Sequence, residues 1–378
     1  MNKPQSAHTL PSHDMQVMLA QHTLFARGHA GKRLEMRLQN LSGLKLNNFD
    51  LSQCLLLACN LSYTDLEGCS FQAANLSNSL FIGANLKHCD FTRADLRGTR
   101  FYKSDLQQAK MTGSDMRVGS LTLNNGGVAK QREFTTDLSY CNMEEATLQD
   151  AVLHNVRLRG VNMRNADLSG ADLSGADMQG VVLLGASMER AKFTGTNIKN
   201  AVFTVNDETK RLFTGNPAFE EHLANLRETD RIVSAHEEWV NSGGRSGTRA
   251  DFAGLALRGV DLRGRELSAV SFRGADLTGA KLAHARLAAA DFNGATLAYA
   301  ELSNADLRGA GLENSRLLHT IVDGADFGDL ELRGGGKLSI RFAGASIEWT
   351  DFSECVITRE QLAGAVLREC HMPEEHHD

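Results

Sequence analysis

Proline and tryptophan are nearly absent from this chain, at 4 and 2 residues in 378. No apolar stretch approaches the roughly 18 residues a membrane-spanning helix needs, so no span is expected. The opening residues, MNKPQSAHTLPSHD, lack the apolar core of a secretory leader, which makes a cytoplasmic location the expectation. Neither half carries a basic excess that would mark a phosphate-binding footprint. Residues 1–205 hold 21 Lys+Arg against 18 Asp+Glu, and residues 206–378 hold 19 against 28. Direct nucleic-acid binding is therefore not expected. There is no CxxC pair, nucleophile elbow, P-loop, GxGxxG or HExxH. No catalytic residue, metal or cofactor is expected.

Glycine, by contrast, is abundant at 35 residues, and its spacing has a reason. Every fifth residue from Leu41 to Leu121 is Leu, Phe or Met. The pattern restarts from Leu138 to Phe203 and again from Phe252 to Leu367, so that 54 of 55 positions are apolar and Lys337 is the exception. A period of five is neither helical nor a plain strand alternation. Two residues before each large apolar residue stands a small one, as at Ala84, Ala94, Ala166, Ala171, Ala275 and Ala280. Small at i−2 and large at i puts both side chains on one face. The remaining positions are mostly Asp, Asn, Arg, Ser and Gly. Glycine recurs at i+2, as at Gly170, Gly175, Gly259 and Gly274, where it suits a tight turn. The geometry that satisfies these constraints is a coil turning a corner every five residues, stable only when neighbouring coils stack.

The stretches ADLSGADLSGADM (166–178) and ADLTGAKLAHARLAAADFNGATLAYAELSNADLRGA (275–310) resemble the pentapeptide-repeat family, whose signature is A(D/N)LXX. The resemblance implies an all-β solenoid, a right-handed quadrilateral β-helix with four pentapeptides per coil. Residues 20 apart should then stack: Phe71 over Phe91, Phe81 over Phe101, and Phe252, Phe272 and Phe292 in a column.

The repeat breaks twice. Residues 122–137 read as a polar loop thrown out of one continuous β-helix. Residues 204–251 read as α-helix, one long or two short, with Asn216 as N-cap, Pro217 at N1 and Gly243-Gly244 past the end. Phe219, Leu223, Leu226, Val233 and Val240 form its apolar face. Residues 15–33 match 229–249: His22 aligns with His236, Phe25 with Trp239, Gly31 with Gly247 and Arg33 with Arg249. The expected organisation is an N-terminal helical cap (1–36), a first β-helix (37–204), an α-helical linker and cap (205–250), a second β-helix (251–370) and a tail (371–378). A helix over each open first coil would protect a bare sheet edge. Thr358 and Gln361 stand in capping-box spacing and predict a short helical turn.

All seven cysteines, Cys54, Cys59, Cys69, Cys89, Cys141, Cys355 and Cys370, fall in corner slots and read as free buried thiols. Cys69 and Cys89 lie one coil apart. The aspartates at i−1, such as Asp167, Asp172 and Asp276, read as solvated turn supports. His22 and His236 read as a helix-to-coil contact kept by duplication, and His376 and His377 as tail. Arg265, Lys337 and Glu360 break the inward register, and local bulges or loops are expected there.

The functional expectation is a non-enzymatic scaffold that presents rigid faces to a protein partner. Lys130, Arg132 and Phe134 in the loop, with His236 and Trp239 on the helix, are the candidate contact residues. A family branch implies an alternative, a DNA-mimicking modulator of DNA gyrase or topoisomerase IV. A strongly negative surface would favour it, and residues 1–205 are slightly positive. A third implied role is an effector protein. An exposed C-terminal coil or helix face could also form a homodimer.

Overall fold

A computed structural model describes residues 11–125 and 128–372 of the chain. Its regular unit is a coil of 20 residues. Parallel bridges join Asn60 to Leu80, Leu80 to Arg100, and Asp251 to Ser271 to Asp291. Backbone accounting for the pentapeptide around Leu61 shows why the repeat takes its residues. The amide of Asn60 donates to Gln39 O (2.8 Å) in the coil below, and those of Leu61 and Tyr63 donate to Leu80 O (2.6 Å) and Ile82 O (2.8 Å) in the coil above. The Ser62 amide goes to the Asn60 side chain, Oδ1, at 3.1 Å. That role explains the Asp or Asn before the large residue: it satisfies an amide that the coil-to-coil ladder leaves unpaired. The same bond recurs at Asp90–Thr92, Asp167–Ser169 and Asp291–Asn293. The fourth residue closes the corner, as in Ala74 N–H to Phe71 O at 3.0 Å. The i+2 residue lies at positive φ, which glycine adopts freely and which Asn48, Tyr63 and Asn78 adopt here.

Inward Leu and Phe fill the axis and are almost completely buried. The expected columns form: Phe71–Phe91 at 5.1 Å, Phe81–Phe101 at 5.0 Å, Phe252–Phe272 at 5.3 Å and Phe272–Phe292 at 5.1 Å, all stacked. Corner thiols and hydroxyls donate to carbonyls of the coil below, as Cys69 Sγ to Leu46 O (2.8 Å) and Ser79 Oγ to Leu56 O (2.6 Å). All seven cysteines are free, and burial pushes the Cys69 thiol up to about 12.

Two compact units divide the chain, Met1–Phe219 and Glu220–Asp378. In the first, helix α1 (His13–Ala26) precedes strands β1 (Glu35–Arg37) and β2 (Leu55–Leu57), which pair in parallel. The break in the repeat corrects the loop expectation. It is an antiparallel hairpin, β3 (Gly119–Asn125) and β4 (Val128–Phe134). The coil resumes at Asp137, which bridges Arg100. Leu121 holds the five-residue register but leaves the axis for the hairpin, because Met116 is the last inward residue before the excursion. Helix α2 (Asp207–Phe213) starts at a reciprocal box in which Asn206 and Thr209 each bond the other's backbone. Phe213 and Phe219 then pack on Phe193 and Phe203 at the last coil.

The unit boundary falls inside helix α3 (Pro217–Asn241), so the helical segment is one short helix and one long one. In the second unit Leu226, Ile232 and Val233 of α3 pack with the coil core. Three register exceptions resolve differently. Arg265 causes no bulge: its carbonyl still accepts from Arg286 N–H (2.9 Å), and its guanidinium reaches Glu237 (2.7 Å) and Asp230 (2.8 Å) on α3. Those bonds hold the Glu237 carboxyl below its ordinary range. Lys337 belongs to a second antiparallel excursion, β6 (Leu330–Glu331) with β7 (Lys337–Leu338), and pairs with Glu331. Gly311 bridges Arg341, 30 residues on rather than 20. Two pentapeptides are thus looped out, which keeps Phe342 in register. Glu360 opens a 3₁₀ turn (Glu360–Leu362) in which Thr358 N–H donates to Gln361 Oε1 (2.8 Å), the predicted box. The parallel set β5 (Arg316–Leu318), β8 (Ser346–Glu348) and β9 (Val366–Arg368) ends the described coils. His376 and His377 lie outside the described residues.

Candidate interaction surface

Antiparallel register places the hairpin residues. Phe134 stands opposite Gly119, Arg132 opposite Leu121, and Lys130 opposite Leu123. Alternation then puts Lys130, Arg132 and Phe134 on one face, a cationic and apolar stripe. Lys130 and Arg132 are exposed and Phe134 is half-buried. The base of the hairpin is tied to the coil. Buried Thr136 accepts from Gly98 N–H (2.8 Å) and donates to Arg117 O (3.0 Å), and Asn78 Nδ2 donates to Ser120 O (3.2 Å). A Cβ on Gly119 would lie 2.5 Å from Arg97 O, so only glycine lets β3 leave the coil this closely. Sequence reasoning missed Gly119, Thr136 and Asn78. Residues 128–134, VAKQREF, do not alternate apolar with polar, so periodicity carried no signal for this strand.

The helix candidates fall elsewhere. His236 is completely buried; its Nδ1 accepts from Ala250 N–H at 3.1 Å, and Trp239 stacks on its ring at 5.6 Å. As a partner contact His236 is therefore corrected: its ring presents no surface, because it latches α3 to the first coil of its unit. Trp239 is half-buried beside it. The N-terminal copy repeats each contact. His22 Nδ1 accepts from Leu34 N–H at 3.0 Å and Phe25 stacks on it at 5.8 Å. Arg33 donates to Gln53 O, and Arg249 to Ala269 O. A Cβ on Gly31 would lie 2.2 Å from Gln21 O, and on Gly247 2.3 Å from Ala235 O, so both chain reversals need glycine. Burial pushes both imidazoles below their ordinary value.

The outer faces of these two helices differ. Val17 and Leu24 of α1 are exposed, and the equivalent positions of α3 are the exposed charges Arg231 and Glu238. On the coils, some aspartates at i−1 pair with an arginine two residues later, as in Asp95–Arg97 (2.7 Å) and Asp306–Arg308 (2.8 Å). Among the described residues no group of three or more His, Cys, Asp or Glu could hold a metal ion, and no helix is long and apolar enough to cross a membrane.

A family model described as pentapeptide repeats matches eight copies, over residues 40–72, 74–113, 136–165, 166–204, 271–309 and 290–329. Among solved structures, HetL, a pentapeptide repeat protein involved in heterocyst differentiation regulation from the cyanobacterium Nostoc, is 20% identical. The match covers 91% of this chain and 96% of that one, with a TM-score of 0.21. A pentapeptide repeat protein of the Arabidopsis thaliana thylakoid lumen is 23% identical over 40% of this chain and 88% of its own, TM-score 0.24. Full-length QnrB1, a plasmid-mediated fluoroquinolone resistance protein, is 19% identical over 46% of this chain and 88% of its own, TM-score 0.19. No curated protein matches the chain.

Proposed function

Because the chain belongs to the pentapeptide-repeat family, whose members fold as right-handed quadrilateral β-helices, we propose that it is a non-enzymatic scaffold that binds a protein partner. The observation that carries this reading is the hairpin: Lys130, Arg132 and Phe134 share one face of an element that adds nothing to the coil core. A rigid base with a protruding cationic and apolar stripe suits a partner surface that is acidic around an apolar centre. The exposed Val17 and Leu24 on α1 supply a second, apolar contact. In the same proposal the chain carries two β-helical blocks, 37–204 and 251–370. The helices before them cover their open first coils, and the protein resides in the cytoplasm, where its free thiols stay reduced.

The test is a cross-linked pull-down from the native lysate, read by mass spectrometry, with wild type and a K130A/R132A/F134A variant. The stripe predicts that a stoichiometric partner captured by wild type falls at least about tenfold with the variant, since a buried aromatic and two charged contacts are lost. The melting temperature should stay unchanged, because none of the three side chains belongs to the coil core. Equal capture by both proteins excludes the hairpin as the site. A topoisomerase subunit as the captured partner would favour the gyrase alternative, and a supercoiling assay unaffected by micromolar protein would discard it. The paired Asp and Arg on the coils weigh against a DNA-like surface.

A further inference from the structure

Three of the chain's 4 tyrosines lie along one edge of the first unit. Tyr63 and Tyr140 take the positive-φ corner position that other coils give to glycine or asparagine. Tyr102 stands one position before that corner, in the coil directly below Tyr140. Each corner ring leans toward the coil above. A Cβ on Gly83 would lie 2.8 Å from Tyr63 Cε1, and one on Gly160 would lie 2.9 Å from Tyr140 Cδ1. Glycine in the next coil is thus what lets each ring lie against the wall. The rings stay open to solvent, Tyr63 at 57% and Tyr140 at 55% exposure. Tyr102 meets Tyr140 at a ring distance of 5.6 Å and an angle of 84°, which makes a right-angled groove. Half-buried Ile82 lies in the coil below Tyr102, and Lys103 Nζ stands over the Tyr102 ring at 5.4 Å.

The body of this strip is apolar, and its polar tips can all donate. Among the described residues the three phenol hydroxyls make no hydrogen bond and Lys103 makes no ion pair. The acceptors beside the strip are taken: Asp65 Oδ1 accepts from Asn85 Nδ2 (3.0 Å), and Asp105 pairs with Lys87 (3.4 Å). A sugar polymer needs acceptors for its hydroxyls and finds them engaged. A nucleic-acid strand needs a run of cations, and Lys103 stands alone beside these carboxylates. A polyproline II segment fits on each count. Its rings are apolar, its carbonyls accept, its prolines carry no N–H, and it forms no internal hydrogen bonds. Tyr63 and Tyr140 lie three coils apart. That is about 14 Å, the reach of about five polyproline II residues. We propose that this edge binds a proline-rich segment of a protein partner. Its rings pack on Tyr63 and in the groove between Tyr102 and Tyr140, and its carbonyls accept from the phenol hydroxyls. The strip shares no residue with the hairpin, so its test does not depend on that one.

The experiment reads the fluorescence anisotropy of a labelled octaproline peptide titrated with the full-length protein. A Gly-Ser peptide of equal length, a cello-oligosaccharide and an oligothymidylate serve as competitors. Saturable binding that none of the three displaces is expected. Tyr63→Asn and Tyr140→Asn should each weaken it about tenfold, as a packed ring is lost. The melting temperature should stay unchanged, because asparagine takes the same corner conformation at Asn48, Asn78 and Asn155. Tyr140→Phe, which keeps the ring and loses the hydroxyl, should weaken binding by only about threefold. The K130A/R132A/F134A variant should bind like wild type. Absence of saturable binding, displacement by any competitor, asparagine variants that bind like wild type, or loss of binding in the hairpin variant overturns the proposal.

Discussion

Replacing His22 and His236 together with asparagine should flatten the acid sensitivity of this protein between about pH 5 and 6.5, where free imidazole titrates and most carboxylates are already ionised. Both rings are completely buried, and each uses Nδ1 to accept a backbone amide of the chain entering the first coil. Protonation at Nδ1 would turn that acceptor into a donor facing a donor. Asp50 and Arg33 face His22; Glu266, Glu237 and Arg249 face His236. Burial outweighs the neighbouring acids and carbonyls, so both imidazoles sit below the ordinary 6.5. The sign follows: below 6.5 the unfolded chain takes up protons that the folded one refuses. Stability is complete above that value and falls as pH drops, by up to about 1.4 kcal/mol per pH unit for each histidine. Asparagine keeps an acceptor near the Nδ1 position and does not titrate. Urea unfolding at pH 7.5 and 5.0 reads the effect, and equal losses in wild type and double variant would remove the histidines as the cause. His22→Ala, which leaves the Leu34 amide bare beside a cavity, should cost about 2–4 kcal/mol at pH 7.5.

The axis gives the second large effect. Phe91 stacks on Phe71 at 5.1 Å and meets Phe81 and Phe101 edge-on at 6.4 and 6.0 Å. Phe91→Ala should destabilise the first unit by about 3–5 kcal/mol, from lost burial and a cavity that backbone bonded to both neighbouring coils cannot collapse into. Phe91→Leu should cost less than about 1.5 kcal/mol, because leucine fills the same column at Leu51, Leu148 and Leu168. Denaturant midpoints separate the two variants, and similar losses would mean that the site repacks freely.

A fold built from one repeated local solution shows in its sequence to an unusual degree. The inward Leu and Phe, the small corners, the Asp or Asn that serves the unpaired amide and the glycine at positive φ each answer a constraint set within one pentapeptide. The coil that follows then fixes every partner 20 residues away, which is why the phenylalanine columns could be named in advance. The His22 and His236 latches were legible for a related reason: two copies of one arrangement supplied an internal alignment. Leu121 and Leu332 show where that legibility ends. Both fit the five-residue period, yet both leave the axis, because period alone does not distinguish a residue in the coil from one in a segment looped out.

The sequence by itself determined the coil, its 20-residue rise, its core and the residue types at its corners, since each depends on neighbours that the repeat places at fixed separations. Tertiary structure decided the exceptions. That Lys130, Arg132 and Phe134 share a face depends on the register of a hairpin that the repeat does not encode. That Arg265 clamps α3, and that Gly311 makes room for Glu313 and Arg341, depends on side chains meeting across separations that follow no period. Contacts of that kind arise only once the chain is wound, because looping out ten residues brings Arg341 above Gly311 as no spacing rule could.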